Sequence, residues 1–168
     1  SIAVLERAPT VYGALLRGLP ATWVRAMDGP ETWSAYDVIG HLSHCERTDW
    51  MPRLAIILEH GTGRAFDPFD RFAQFRSGSE QTMEERLDEF RSLRAENVAR
   101  LLALGLSEAQ LELEGTHPAL GRVTARQLLA TWTAHDLAHL VQVNRTKARR
   151  YRGEVGPWAE YMSVMKDR

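Results

Sequence analysis

Helix punctuation constrains this chain more than any other feature. Thr82 stands three residues before Glu85, and Thr124 three before Gln127. In each pair the hydroxyl accepts from the backbone N–H three residues on while the longer side chain reaches back to the free N–H behind it, so both mark helix N-termini. Ser34 marks a third: its hydroxyl caps the backbone, and Asp37 sits in the first turn where a negative charge favours the helix dipole. Glycines at 18, 61, 105 and 153 supply the stops. The spacing predicts long helices over roughly 9–18, 34–61, 82–105 and 124–153. A preceding turn through Ile2, Val4 and Leu5 extends the first, and Pro52, which removes one backbone donor, kinks the second near Thr48.

The segments between these helices read as connections. Gly61 to Ser79 contains Gly-Thr-Gly and Phe66-Asp67-Pro68-Phe69-Asp70 and reads as an ordered loop, Ser107 to Leu111 as one short turn, and Thr116 to Gly121 as another turn. Past Pro157, Trp158, Tyr161, Met162 and Val164 read as a short amphipathic helix. No run alternates convincingly enough to be a strand. Long helices with these connections predict one all-α domain over 1–168, a four-helix bundle with a short C-terminal helix.

Composition excludes several classes of function. The 21 Lys and Arg against 22 Asp and Glu give a net charge of −1, so no global field favours nucleic acid or an anionic membrane. A local basic cluster, Arg145, Lys147, Arg149, Arg150 and Arg152, lies where cations complement a helix C-terminus. The longest apolar runs are too short to cross a bilayer, and the N-terminus lacks the pattern of a signal peptide. The single cysteine rules out an intrachain disulfide framework and suits a reducing cytoplasm. A small-molecule substrate is the expected partner.

Histidines give that partner its chemistry. His135 and His139 are four apart in the fourth helix, so both imidazoles leave one face and can grip a divalent ion. A catalytic site of the zinc type normally takes a third protein ligand and keeps one position open. His41, on an otherwise apolar stripe of the second helix with Val38, Cys45 and Thr48, is the expected third, and His44 is its rival. The stripe on the fourth helix runs Leu128, Thr131, His135, Ala138, His139 and Gln142, so both stripes turn polar at the same depth. Cys45 is a candidate fourth ligand or a small buried hydrophobe. Gln142, Thr48 and Thr131 are candidate pocket contacts, and Arg53 and Arg145 are long enough to meet an anionic substrate, although surface ion pairs would occupy them equally well. Glu46, Asp49 and Asp136 are candidate bases or hydrogen-bond acceptors, with Glu46 and Asp136 pointing partly away from the ligand stripe. His60 and His117 read as surface residues.

Trp33-Ser34-x-x-Asp37-Val38-Ile39-Gly40-His41-Leu42, then Thr131-Trp132-x-x-His135-Asp136-x-x-His139-Leu140, and the terminal Gly156-Pro157-Trp158 together resemble the DinB superfamily. The match is nearest its YfiT-like branch of metal-dependent hydrolases and spans nearly the whole chain. The resemblance implies an up-down-down-up bundle with a zinc or nickel site made by His41, His135 and His139. It also implies chemistry of one of two kinds, thiol S-transfer with a low-molecular-weight thiol or hydrolysis. A noncatalytic metal-binding stress-response module and a plain helical interaction domain are the alternatives. The apolar tail either closes the bundle or makes a two-fold homodimer, to which the resemblance also points.

Overall fold

The computed structural model describes residues 2–75 and 81–166. Seven α-helices and one β-hairpin are formed: α1 (Ile2–Leu16), α2 (Ala21–Val24), α3 (Ala35–Thr48), α4 (Trp50–His60), α5 (Met83–Ala103), α6 (Glu108–Leu111), β1 (Glu114–His117), β2 (Gly121–Thr124) and α7 (Ala125–Arg149). All three expected caps close as reciprocal boxes, at Ser34 with Asp37, Thr82 with Glu85 and Thr124 with Gln127, and Ser107 with Gln110 adds a fourth. The second expected helix is broken at Asp49 into α3 and α4, beside Thr48, whose carbonyl Pro52 cannot reach with an N–H.

Helix directions follow from who meets whom. Leu5 meets Arg94 and Gly18 meets Glu84, so α1 and α5 are antiparallel. Tyr36 meets Arg86 and Glu46 meets Arg94, so α3 and α5 run parallel. Glu46 meets Trp132 and His41 meets His135, so α7 runs against α3 and therefore with α1. The four long elements are thus up, down, down and up.

The first helix starts at Ile2, so the expected preceding turn belongs to it and Pro9 lies inside it. Three expectations need correction. A one-turn helix, α2, occupies part of the expected loop after Pro20. The turn at Thr116–Gly121 is flanked by paired strands, with Glu114 opposite Thr124 and His117 opposite Gly121. Gly115 seats this hairpin against α4, because a Cβ there would lie 2.7 Å from Ile57 Cγ1 and 2.9 Å from Phe66 Cε1. The tail forms 3₁₀ turns over Gly156–Tyr161 and Ser163–Met165 instead of an amphipathic α-helix. Of the expected loop to Ser79, the part past residue 75 lies outside the described residues.

The basic cluster at the end of α7 is structural in part. Arg149 pairs with Asp28 and donates to the carbonyl of Val164 at 3.0 Å, while Arg150 donates to the carbonyl of Thr22 and lies over the ring of Trp23. These cations tie the tail and the α1–α3 connection to α7.

A buried polar layer divides the apolar core. On one side pack Leu5, Trp50, Leu54, Val98, Leu128 and Trp132; on the other pack Tyr12, Leu16, Val38, Ile39, Leu42, Phe90 and Val143. Between them Arg94, 1% exposed, spends all five of its N–H groups. Nε and Nη2 donate to Glu46 Oε1 at 3.0 and 2.8 Å, Nη2 and Nη1 to Asp136 at 3.0 and 2.6 Å, and Nη1 also to the carbonyl of Leu5 at 3.0 Å. That carbonyl is the one Pro9, four residues on and lacking an N–H, leaves without its helical partner. Trp132 Nε1 and Asn97 Nδ2 complete Glu46, at 2.9 and 3.0 Å. Removing one member of such a buried ion set strands the others. Arg94→Met is therefore expected to lower the unfolding free energy by about 3–5 kcal/mol, read by urea denaturation; an unchanged midpoint would mean that Glu46 and Asp136 find other partners.

Candidate metal centre

Parallel and antiparallel packing brings one residue of α3 and two of α7 to the same level. His41, on α3, projects between the helices toward His135 and His139, one turn apart on α7. His41 Nε2 and His135 Nε2 are 3.1 Å apart, as are His135 Nε2 and His139 Nε2, and one ring nitrogen from each of the three lies within 4.8 Å of the others. The two 3.1 Å spacings approach the roughly 3.3 Å between two nitrogens on a tetrahedral ion with bonds of about 2.0 Å.

Protons alone do not satisfy this cluster. His139 Nδ1 donates to Gln142 Oε1 at 2.8 Å, which leaves the His139 Nε2 lone pair facing inward. If His135 Nε2–H donates to His139, His41 Nε2 is left only the weak S–H donor of Cys45 at 3.5 Å; if His41 donates to His135, two lone pairs face each other between His135 and His139. His135 Nδ1, buried and without a hydrogen-bond partner, gives no further relief. A divalent cation accepts all three lone pairs at once, so the donor set fits a metal.

Their protonation fits as well. Burial, then the neighbouring imidazoles of His139, His135 and His44 and the cation of Arg71, hold His41 down to about 3. Burial, then His139 and Arg94, bring His135 to about 3. His139 is also lowered by burial, which outweighs the opposing bond to Gln142. A metal needs neutral imidazole, and the shift of all three is toward the neutral form, large for His41 and His135.

Aromatic rings line the approach. The ring of Trp33 lies 4.9 Å from that of His41 and is nearly parallel to His139 at 6.3 Å, and Phe69 meets His41 edge-on at 5.7 Å. Phe75 packs on Trp33, and the Arg71 guanidinium lies 5.1 Å over the same indole. Behind the site, Trp50 meets His135 edge-on at 5.2 Å and stacks on Trp132.

The other sequence candidates fall in several places. Gln142 joins the site through His139. Cys45 Sγ is 3.5 Å from His41 Nε2, beside the three clustered donors rather than among them, and burial, then the charges of Asp49, Glu46 and Asp136, push its thiol up. His44 is outside the three-nitrogen cluster and packs on Phe69 at 5.2 Å. Thr48 and Thr131 are exposed and bond back to their own helices, at the carbonyls of His44 and Gln127. Arg53 pairs with Asp49 at 2.6 Å and covers Phe66, both members of the ion pair being buried rather than on the surface. Arg145 is half-buried farther along α7. Glu46 and Asp136 belong to Arg94. The sequence reading missed Arg94, Trp33, Phe69 and Arg71; an arginine in register with Leu87, Phe90, Val98 and Leu101 was the available signal for the first.

A helical bundle with a three-histidine cluster between two of its helices carries a donor set that could hold a metal ion. The sequence matches the DinB superfamily over residues 5–143, and the chain belongs to that family. Among solved structures it is similar to YfiT from Bacillus subtilis, described as a probable metal-dependent hydrolase with an unusual four-helix bundle topology. The TM-score is 0.75 at 19% sequence identity, covering 89% of this chain and 85% of that one. Comparison with curated proteins finds no match. No helix among the described residues is long and apolar enough to cross a membrane.

Because the lowered imidazole pKa values keep the ligands neutral as pH falls, metal binding should resist acid. Metal content after chelator-free purification is expected to hold from about pH 7 to about pH 5, across the ordinary histidine pKa of about 6.5, and His135→Ala should lose the metal while His60→Ala keeps it. Equal metal in His135→Ala and the parent, or loss following a pKa near that of free imidazole, would remove the assignment.

Proposed function

We propose that the chain is a metal-dependent enzyme that joins a low-molecular-weight thiol to a small electrophilic molecule. The observation that carries this reading is a cluster of three neutral nitrogen donors with no carboxylate in it. His41, His135 and His139 would hold the ion, zinc or nickel, with Gln142 fixing the His139 tautomer. Such an ion keeps its full charge and lowers the pKa of a thiol or water bound to it.

Carboxylates decide between the two nucleophiles. Hydrolysis calls for a base to take a proton from water, and the three acids that the sequence offers as candidates are committed, Glu46 and Asp136 to Arg94 and Asp49 to Arg53. A thiol, with a pKa of about 8.5 against about 15.7 for water, needs less help. Trp33, Phe69 and Phe75 offer an apolar approach for an electrophile, and Arg71 adds a cation over Trp33. Metal-dependent hydrolysis is the second reading, favoured by the description of YfiT. The third is a noncatalytic metal-binding module. A reducing cytoplasm suits a thiol reaction and the single, buried Cys45.

Zinc-loaded and nickel-loaded protein should consume thiol in the presence of a bimane electrophile, and His135→Ala should not. Metal-dependent cleavage of esters, amides or phosphoesters with no thiol requirement would replace the transferase with a hydrolase, and absence of all turnover would leave the binding module.

The tail supports assembly into a homodimer. Trp158 and Tyr161 are 68% and 88% exposed, large apolar areas for a monomer to leave in water. Light scattering is expected to give twice the chain mass, reduced to one by Trp158→Ser with Tyr161→Ser. A single-chain mass at every concentration would rule the dimer out.

A further inference from the structure

Two arginines of α5 are buried to nearly the same degree and treated differently. Arg94, 1% exposed, faces two carboxylates. Arg86, 8% exposed, faces none among the described residues: Nη1 donates to the carbonyl of Tyr36 at 3.1 Å, and the buried Nε has no hydrogen-bond partner. Its guanidinium lies 3.7 Å from the centre of the Tyr36 ring, whose electrons attract it only weakly. Burying an ion costs more than such a contact returns, so the ring and one carbonyl do not balance the charge. A second cation, Arg25, lies 4.0 Å from the centre of the same ring and adds to the imbalance.

The sequence makes room for this arrangement. A methyl group at Gly40 would overlap Arg86 Nη1, so glycine at that position lets the guanidinium lie against α3. Beside it is a cavity of about 360 Å³, lined among others by Gly40, Arg47, Ala73, Gln81, Arg86 and Glu89. Glu89 is already held by Arg47 and by Gln81 Nε2 at 3.4 Å. Among the described residues the charged walls are therefore two arginines against one glutamate, and the uncompensated charge is that of Arg86. The volume suits a small metabolite.

We propose that this cavity between α3 and α5 is a binding site for a small oxyanion, the carboxylate or phosphate group of a metabolite, with Arg86 as its counter-charge. A guanidinium with unspent N–H groups is the side chain best shaped for either anion. The site is separate from the three histidines and does not depend on the reading of their chemistry.

Calorimetric titration of the whole chain with inorganic phosphate and, separately, with succinate tests the site and distinguishes the two anions. Binding of at least one is expected, weakened about tenfold or more in Arg86→Gln, the loss of a charged hydrogen bond. Ala73→Phe, which fills the cavity without touching the guanidinium, should weaken it as much and carries the test if Arg86→Gln does not fold. His135→Ala, deprived of the metal centre, should bind the anion as the parent does, as should Arg122→Gln on the hairpin. No binding of either anion, undiminished affinity in Ala73→Phe, or loss in His135→Ala would overturn the proposal, the last by assigning the anion to the metal.

Discussion

One guanidinium joins all four long elements of the bundle. Arg94, carried by α5, bonds the Leu5 carbonyl of α1, Glu46 of α3 and Asp136 of α7. Each of its partners is itself constrained. Pro9 releases the Leu5 carbonyl, Trp132 and Asn97 hold Glu46, and the Tyr12 hydroxyl donates to the carbonyl of Asp136 at 2.7 Å. Apolar packing would tolerate small slips between helices; directional bonds to a buried cation would not. Because Glu46 lies just over a turn beyond His41 and Asp136 directly follows His135, the same bonds set the height at which α3 and α7 present their imidazoles.

Two acids beside the metal centre are thereby kept out of it. Burial pushes the Asp136 carboxyl above its usual range against the opposing pull of Arg94. Were either acid to turn toward the histidines, it would neutralise part of the charge on a bound ion and weaken its effect on a nucleophile. Arg94 therefore does for the chemistry what it does for the packing, by occupying both carboxylates.

What was readable in the chain was local. Caps at Ser34, Thr82 and Thr124 depend on residues three apart, and the His135–His139 pair on one turn of helix, so both appear in sequence. His41 could be preferred to His44 because it lies on an apolar stripe. Arg94 was opaque because its partners are 42, 48 and 89 residues away, and a lone arginine within an apolar stripe does not name them. The hairpin escaped because strands of four residues are too short to establish alternation. Trp33 and Phe69 reach the site only through the tertiary path of the connections, which no periodicity encodes.

Parallel packing of α3 and α5 has a cost in chain and a return in freedom. Antiparallel neighbours can be joined by a few residues, but parallel ones require the chain to travel back along the bundle. Here that return passes the histidines, and Phe69 and Phe75 come from it. Closing a longer loop adds only slowly to the entropy lost on folding, about 0.6 kcal/mol for each doubling of length. The three histidines stand on helices while much of their aromatic surround stands on the return segment, so substitutions there can change what reaches the imidazoles without disturbing what holds them in place.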